Sequence, residues 1–336
     1  MHTSEQTMQR SRIVGTGTYL PEQVVTNDDL SKKMGIDTSD AWIRERTGIG
    51  SRRIAAPSEA TSDMAAKASR AALQQAGVKA GDLDLIVCGT VTPDMPFPAA
   101  ACFVQAKIGA TKAAAFDVSA ACAGSLFALS IADQYIRGGM ARSVLVIGAE
   151  LLTRITDWTD RGTCVLFGDA AGAMVLVPET RPDRGLLSTH LHTDGTQTSI
   201  LNIPGGGSLK PFGPATLDTR DQYIKMNGRE VYKTAVRALE SCSREALERN
   251  GYRPQDVDHV IAHQANLRIL EHVMKKLEIP LEKCHLNIEE VGNTSSASVP
   301  LTLDQANRQG RLKDGDLVLM MAIGGGMAWG SALVRW

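Results

Sequence analysis

The sequence predicts an α/β fold built from two similar halves. Short apolar runs rich in β-branched residues alternate with helical patterns: LDLIVCGT (83–90), AAFDVSA (114–120), SVLVIGA (143–149), GAMVLV (172–177), DHVIAHQ (258–264) and DLVLMMAIG (316–324). Short apolar strands separated by helices read as mostly parallel sheets covered on both faces. The second observation is an internal repeat. ALQQAGVKAGDLDLIVCGT from Ala72 and ALERNGYRPQDVDHVIAHQ from Ala246 share the Ala-Leu start, the Gly stop and two Asp positions at an offset of 174 residues. SVLVIG falls on LVLMMA at the same offset. KAAAFDVSAAC (112–122) falls on KCHLNIEEVGN (283–293) at 171, which puts Cys122 opposite Asn293. Two copies of such a length mean a duplicated α/β unit rather than a solenoid. The expected division is 1–183 and 184–336, and 336 residues with 43% hydrophobic content supply a core for both.

Taken in order, Gly15-x-Gly17 follows an apolar pair, but Leu20 and Pro21 stand where a dinucleotide-binding helix would begin. The helix from Cys122 to about Arg137 is small or apolar around its first turns and stops at Gly138–Gly139. Ser188 to Thr219 contains PGGGS and KPFGPA and reads as an irregular excursion. The helix from Asn266 to Leu277 has an apolar stripe at 269, 270, 273, 274 and 277, leaving Arg268, Glu271, Lys275 and Lys276 outside.

Composition removes several function classes. A net charge of −1 supplies no field for nucleic acid or an anionic membrane. The apolar runs are strand-length, so none spans a bilayer. MHTSEQTMQRSR lacks an apolar signal core. Six cysteines without a C-x-x-C pair fit a reducing cytoplasm and give no zinc framework. His190-x-His192 with Asp194 is too sparse for a metal site, so no metal is expected.

Three residues carry candidate chemistry. Cys122 sits where a buried strand becomes a buried helix, where N–H groups and the helix dipole favour a thiolate. It also reads as a small packing residue. His263 ends a strand and reads either as a polar group at a cleft or as a satisfied core histidine. Asn293 reads as a third polar group or as a helix N-cap. Ligand sites of α/β folds lie beyond the carboxyl ends of parallel strands, where these three converge. GGGMAWG (324–330) supplies a backbone able to aim N–H groups at an oxyanion, or simply a tight turn.

The motifs TSDAWIRERTGI (38–49), DVSAACAG (117–124), TDRGTCVLFGD (159–169), HQANLRI (263–269), GNTSSASVPL (292–301) and GGGMAWGSALVRW (324–336), in this order, resemble the thiolase-like condensing enzymes, most closely the β-ketoacyl-[acyl-carrier-protein] synthase III family. The resemblance implies a duplicated five-layer α-β-α-β-α sandwich, a cytoplasmic homodimer and no cofactor. It implies condensation of a short acyl-CoA, acetyl-CoA first, with malonyl-[acyl-carrier-protein], initiating fatty acid synthesis through an acyl-cysteine. By the same resemblance Cys122 is the nucleophile, His263 and Asn293 are the decarboxylation pair, and the amides of Cys122 and Gly325 form the oxyanion hole. Trp42 and Arg161 sandwich the CoA adenine, with Thr38 and Arg46 nearby. Ala265 and Asn266 line the pantetheine tunnel. Phe97 is an acyl-pocket residue lent across the dimer. Lys233, Arg268, Lys275 and Lys276 dock the acyl carrier protein. Gly50 and Tyr232 depart from the pattern: the first bears on a CoA phosphate contact, the second on tunnel polarity. The alternatives are a condensing enzyme with a different primer or acceptor, and a non-catalytic binding protein of the same fold. A degradative thiolase is disfavoured because GGGMAWG lacks a second cysteine.

Overall fold

The computed structural model describes residues 10–32 and 34–336. Most of the N-terminal stretch whose polarity argues against a signal sequence lies outside them. Among the described residues no helix is long and apolar enough to cross a membrane.

The N-terminal sheet has five strands in the order Arg10–Tyr19, Ala170–Glu179, Val144–Glu150, Leu85–Gly89 and Ala114–Val118. The C-terminal sheet has four, in the order Gly185–Thr193, Ala328–Arg335, Leu317–Gly324 and His259–Ala262. The two follow one plan. Val144–Glu150 runs antiparallel to Ala170–Glu179 and parallel to Leu85–Gly89. Leu317–Gly324 likewise runs antiparallel to Ala328–Arg335 and parallel to His259–Ala262. An isolated parallel bridge between Val260 and Cys284 stands where the fifth strand would be.

Two helices, Gly124–Arg137 and Ser298–Arg308, fill the space between the sheets. Their Leu126, Leu129, Val299 and Leu303 share one core with Val146 and Met320 from the facing strands. Each such buried side chain contributes about 1.5–3 kcal/mol. Thr61–Ala76 and Ala100–Ile108 cover the outer face of the first sheet. Gly228–Arg249 and Leu267–Leu277 cover that of the second. The result is the expected five-layer α-β-α-β-α sandwich.

Gly15 and Gly17 form a packing seam. A Cβ on Gly15 would lie 2.3 Å from the Ala72 carbonyl oxygen, and one on Gly17 would lie 2.4 Å from that of Ala68. Helix Thr61–Ala76 therefore rests directly on the strand backbone.

Two expectations are corrected. Ser188–Thr219 is not wholly irregular, because Gly185–Thr193 is an edge strand, paired among the described residues only with Ala328–Arg335. Its half-exposed polar residues hide the apolar alternation. Secondly, Asn293 is not the counterpart of Cys122. Ala121 and Ser295 both have left-handed backbones, φ 46° and 49°. Each opens a 3₁₀ turn, Ala121–Ala123 and Ser295–Ala297, leading into a middle-layer helix. The offset at these turns is 174, so Ser296 matches Cys122. Sequence comparison slipped because the second copy replaces the Ala114–Val118 strand with a single bridge and a short helix, Ile288–Val291.

Candidate active site

Cys122 lies in the 3₁₀ turn just before the middle-layer helix, not in the first α-turn as expected. The positive φ of Ala121 makes the kink that separates the two. The thiol is buried, and burial is the main cause pushing it up to about 12. Opposing this, the Ser295 side chain and the backbone N–H groups of Cys122 and Gly325 favour the thiolate. Close approach of the glycine turn requires Gly324: a Cβ there would sit 2.3 Å from the Cys122 amide nitrogen.

His263 continues the His259–Ala262 strand, and its N–H donates to the Met321 carbonyl at 2.8 Å. The ring is 2% exposed. Desolvation lowers it to about 4, so it is neutral at physiological pH. Its Nδ1 is 2.9 Å from Ser298 Oγ, which also accepts the Gln264 N–H at 3.3 Å. In the tautomer in which this hydroxyl donates to Nδ1, the ring proton is on Nε2. The ring also bonds the Ser295 backbone.

Asn293 is anchored on both sides. Its backbone N–H donates to Leu166 O, and its carbonyl accepts from Gly168 N–H. Its Oδ1 accepts the Ser295 N–H at 2.9 Å, which leaves Nδ2 as a donor. Cys122, His263 and Asn293 line one cavity of about 120 Å³ together with Ala265, Asn266 and Tyr232. Cys122 also borders a second cavity of about 490 Å³, walled by apolar groups including Phe127, Leu152, Ile155, Leu201 and Ile224.

Residues 116–195 match the family described as 3-oxoacyl-[acyl-carrier-protein (ACP)] synthase III, and residues 247–336 match its C-terminal part. The β-ketoacyl-[acyl-carrier-protein] synthase III of Xanthomonas campestris is 53% identical over 97% of this chain and 98% of that protein. This chain belongs to the β-ketoacyl-[acyl-carrier-protein] synthase III family. It is accordingly a condensing acyltransferase with the thiolase-type fold. The crystal structure of 3-oxoacyl-[acyl-carrier-protein] synthase III from Aquifex aeolicus is 46% identical, with a TM-score of 0.89 over 97% of this chain and 100% of that one. The priming β-ketosynthase of the R1128 polyketide pathway is 36% identical, with a TM-score of 0.89 over 96% and 95% of the two chains.

Other residues singled out in this synthase fall into three places. At the tunnel mouth, the Asn266 side chain caps helix Leu267–Leu277 at Arg268 N and donates to Arg46 O at 3.0 Å. Trp42 is covered by two cations, with the Arg161 guanidinium carbon 4.2 Å and that of Arg46 4.9 Å from its ring centre. Trp42 and Arg161 thus stack on each other rather than standing apart. The Thr38 hydroxyl is buried without a partner. The space a side chain at Gly50 would take is filled by Arg44, whose terminal nitrogen lies 2.5 Å from that Cβ position. Arg44 is ion-paired with Asp40 and Glu289.

On the outer face, helix Leu267–Leu277 buries the expected stripe and exposes Arg268, Lys275 and Lys276. Lys276 is paired with Glu240 and Lys233 with Glu230, whereas Arg268 and Lys275 have no acidic partner among the described residues. Phe97 is 83% exposed and lines neither cavity at Cys122. Away from the site, His190 and His192 both contact Glu245, while the Asp194 side chain accepts from Thr196.

Sequence reasoning missed Glu150, Ser295 and Ser298. An acidic residue closing the apolar run SVLVIGAE, and a serine cluster after Asn293, were the available signals.

Proposed function

We propose that the chain condenses a short acyl-CoA, acetyl-CoA first, with malonyl-[acyl-carrier-protein] to give the 3-oxoacyl-[acyl-carrier-protein], initiating fatty acid synthesis. The reading is carried by Cys122, His263 and Asn293 sharing one small cavity. The Cys122 sulfur attacks the acyl thioester, and the oxyanion takes the Cys122 and Gly325 N–H groups, each such donor being worth about 3 kcal/mol. CoA departs. The malonyl thioester then occupies the same tunnel, its carbonyl oxygen accepting from His263 Nε2 and Asn293 Nδ2. Loss of CO₂ leaves an enolate that these two donors hold more tightly than the ground state. The enolate carbon attacks the acyl-cysteine carbonyl, and Cys122 leaves as the thiolate. One covalent intermediate shared by two half-reactions gives ping-pong kinetics.

The supporting contacts follow the same reading. The CoA adenine inserts between Trp42 and Arg161, with Thr38 and Arg46 beside it. Ala265 and Asn266 flank the pantetheine arm. Arg268 and Lys275 offer unpaired positive charge to an acidic carrier protein, with Lys233 and Lys276 at the margin. A homodimer is supported by the edge strand Ala114–Val118, which pairs on one side only. The exposed Phe97 would then serve the other copy's acyl pocket. The division at 183/184 is supported by its place between the last strand of one sheet and the first of the other. The absence of a membrane-spanning helix among the described residues is compatible with a cytoplasmic enzyme.

A second reading, a longer or branched primer, is favoured by the cavity of about 490 Å³. An acetyl group displaces on the order of 90 Å³, taking ~30 Å³ per heavy atom. Mass measurement of the Cys122 peptide across a panel of acyl-CoAs tests both readings. Acetylation on Cys122 supports the first, preference for longer chains supports the second, and no adduct from any acyl-CoA removes both.

A further inference from the structure

Glu150 closes the Val144–Glu150 strand and is 0% exposed. Every bond it makes is accepted. Oε2 takes Val91 N–H at 3.1 Å, the Thr92 hydroxyl at 2.9 Å and the Thr90 hydroxyl at 3.3 Å. Oε1 takes the Ser295 hydroxyl at 3.0 Å and lies 3.1 Å from Ser296 Oγ, whose one proton it shares with Gly89 O at 2.6 Å. These contacts suit a carboxylate, burial raises it above the ordinary range, and no Arg, Lys or His pairs with it among the described residues. The titratable groups that feel its charge are Cys122 and Cys88, both thiols. A buried, unpaired negative charge is costly to maintain and calls for a reason.

Ser295 is the link. Its hydroxyl donates to Glu150 at 3.0 Å, and Ser295 and Cys122 line the larger cavity together. Its N–H holds Asn293, and its backbone bonds the His263 ring. A left-handed backbone, φ 49°, lets one residue reach all four groups. We propose that Glu150, reached through the Ser295 hydroxyl, takes up the Cys122 thiol proton as the thioester is attacked. The S–H proton passes to Ser295 Oγ while the Ser295 O–H proton passes to Glu150 Oε1. The sulfur keeps the electron pair and forms the new S–C bond. As the C–S bond to CoA breaks, the same path run backwards returns a proton to the departing thiolate.

The charge count favours this route. Releasing the thiol proton to solvent would leave two negative charges in a dry site, and Glu150 raises the thiol for that reason. Moving the proton by way of the Ser295 hydroxyl keeps a single negative charge throughout. His263 is the weaker acceptor, since its Nδ1 is engaged by Ser298 and its ring resists a second proton. Glu150 is thus a proton-holding residue acting through Ser295.

The inference rests on Cys122 being the acylated nucleophile. The test follows acyl-adduct formation from acetyl-CoA by mass, from about pH 6 to 9, in the wild type, Glu150→Gln, Glu150→Asp and Ser295→Ala. Glu150→Gln and Ser295→Ala should acylate about a hundredfold more slowly. Their rates should climb about tenfold per pH unit, as direct loss of the thiol proton to solvent requires, while the wild-type rate stays nearly flat. Glu150→Asp should restore the flat profile. A charge that merely opposes ionisation predicts the opposite sign, with Glu150→Gln acylating faster. Equal or faster acylation by Glu150→Gln overturns the relay, as does a wild-type rate and profile in Ser295→Ala. Should Glu150→Gln not fold, Ser295→Ala decides alone. No adduct on the wild type would overturn the nucleophile assignment itself, a different result from equal adducts on all four proteins.

Discussion

Cys122 and Ser296 occupy matching places in the two halves, yet Cys122 borders both cavities of the site and Ser296 borders neither. Ser296 is 0% exposed, and its hydroxyl is spent on Gly89 O at 2.6 Å and on Glu150. At the same offset of 174, Gly89 matches His263 and Ser119 matches Asn293. The equivalent place repeats the backbone of the turn without the thiol, the imidazole or the carboxamide.

Acylation should therefore stop at one group per chain. Ser296→Cys introduces a thiol at the equivalent turn, but one with no room for a thioester. Intact mass after acetyl-CoA should show a single acetyl on Ser296→Cys, as on the wild type. Double acetylation would mean that the closed half opens.

Gly324→Ala should damage the site without touching a reactive group. The added carbon meets the Cys122 amide nitrogen at 2.3 Å and the Ala121 Cβ at 2.9 Å. Overpacking of this sort costs about 1–3 kcal/mol. The 3₁₀ turn must shift, and with it the oxyanion donors. Condensation should fall at least tenfold, with the larger loss in kcat, measured by steady-state kinetics on protein whose thermal midpoint has been recorded.

Stability should decline as pH falls from about 6.5 towards 4. Burial lowers His263 and His285 from the ordinary 6.5 to about 4, so both are neutral in the fold through that window. The unfolded chain binds the extra protons there, and linkage makes stability rise with pH between those limits. Below about 4 and above 6.5 these two groups add no slope. His285→Asn lies outside the two cavities at Cys122 and should flatten the curve of thermal midpoint against pH. An unchanged curve would contradict the assignment.

Recognition of the two substrates should separate by mutation. Trp42→Ala removes the ring on which Arg161 and Arg46 rest. It should raise KM for acetyl-CoA, with a smaller effect on malonyl-carrier-protein. Arg268→Glu with Lys275→Glu should do the reverse, most clearly at low ionic strength, where surface charge is least screened. Parallel losses toward both substrates would argue against separate contacts.

Much of the layout was readable from the chain. The alternation of apolar strands with helices, and the 174-residue echo, follow from burial, and burial repeats wherever the unit repeats. The stripe on Leu267–Leu277 was visible for the same reason. What escaped depended on partners far away in sequence. Gly185–Thr193 is half exposed, so it lacks the apolar signature of a central strand. Nothing local in SVLVIGAE shows that Glu150 meets Ser295 from 145 residues away. Cys122 could be placed at a strand end, but the left-handed Ala121 that re-aims it carries no glycine to mark it.

Helices Gly124–Arg137 and Ser298–Arg308 each lie between both sheets, so neither half has a complete interior of its own. Separating the halves between Glu179 and Gly185 would strip one wall from each of these helices and leave Leu126, Leu129, Val299 and Leu303 wet. One chain carrying both halves supplies the missing wall of each, while only one of the two equivalent turns, that of Cys122, opens onto the cavities of the site.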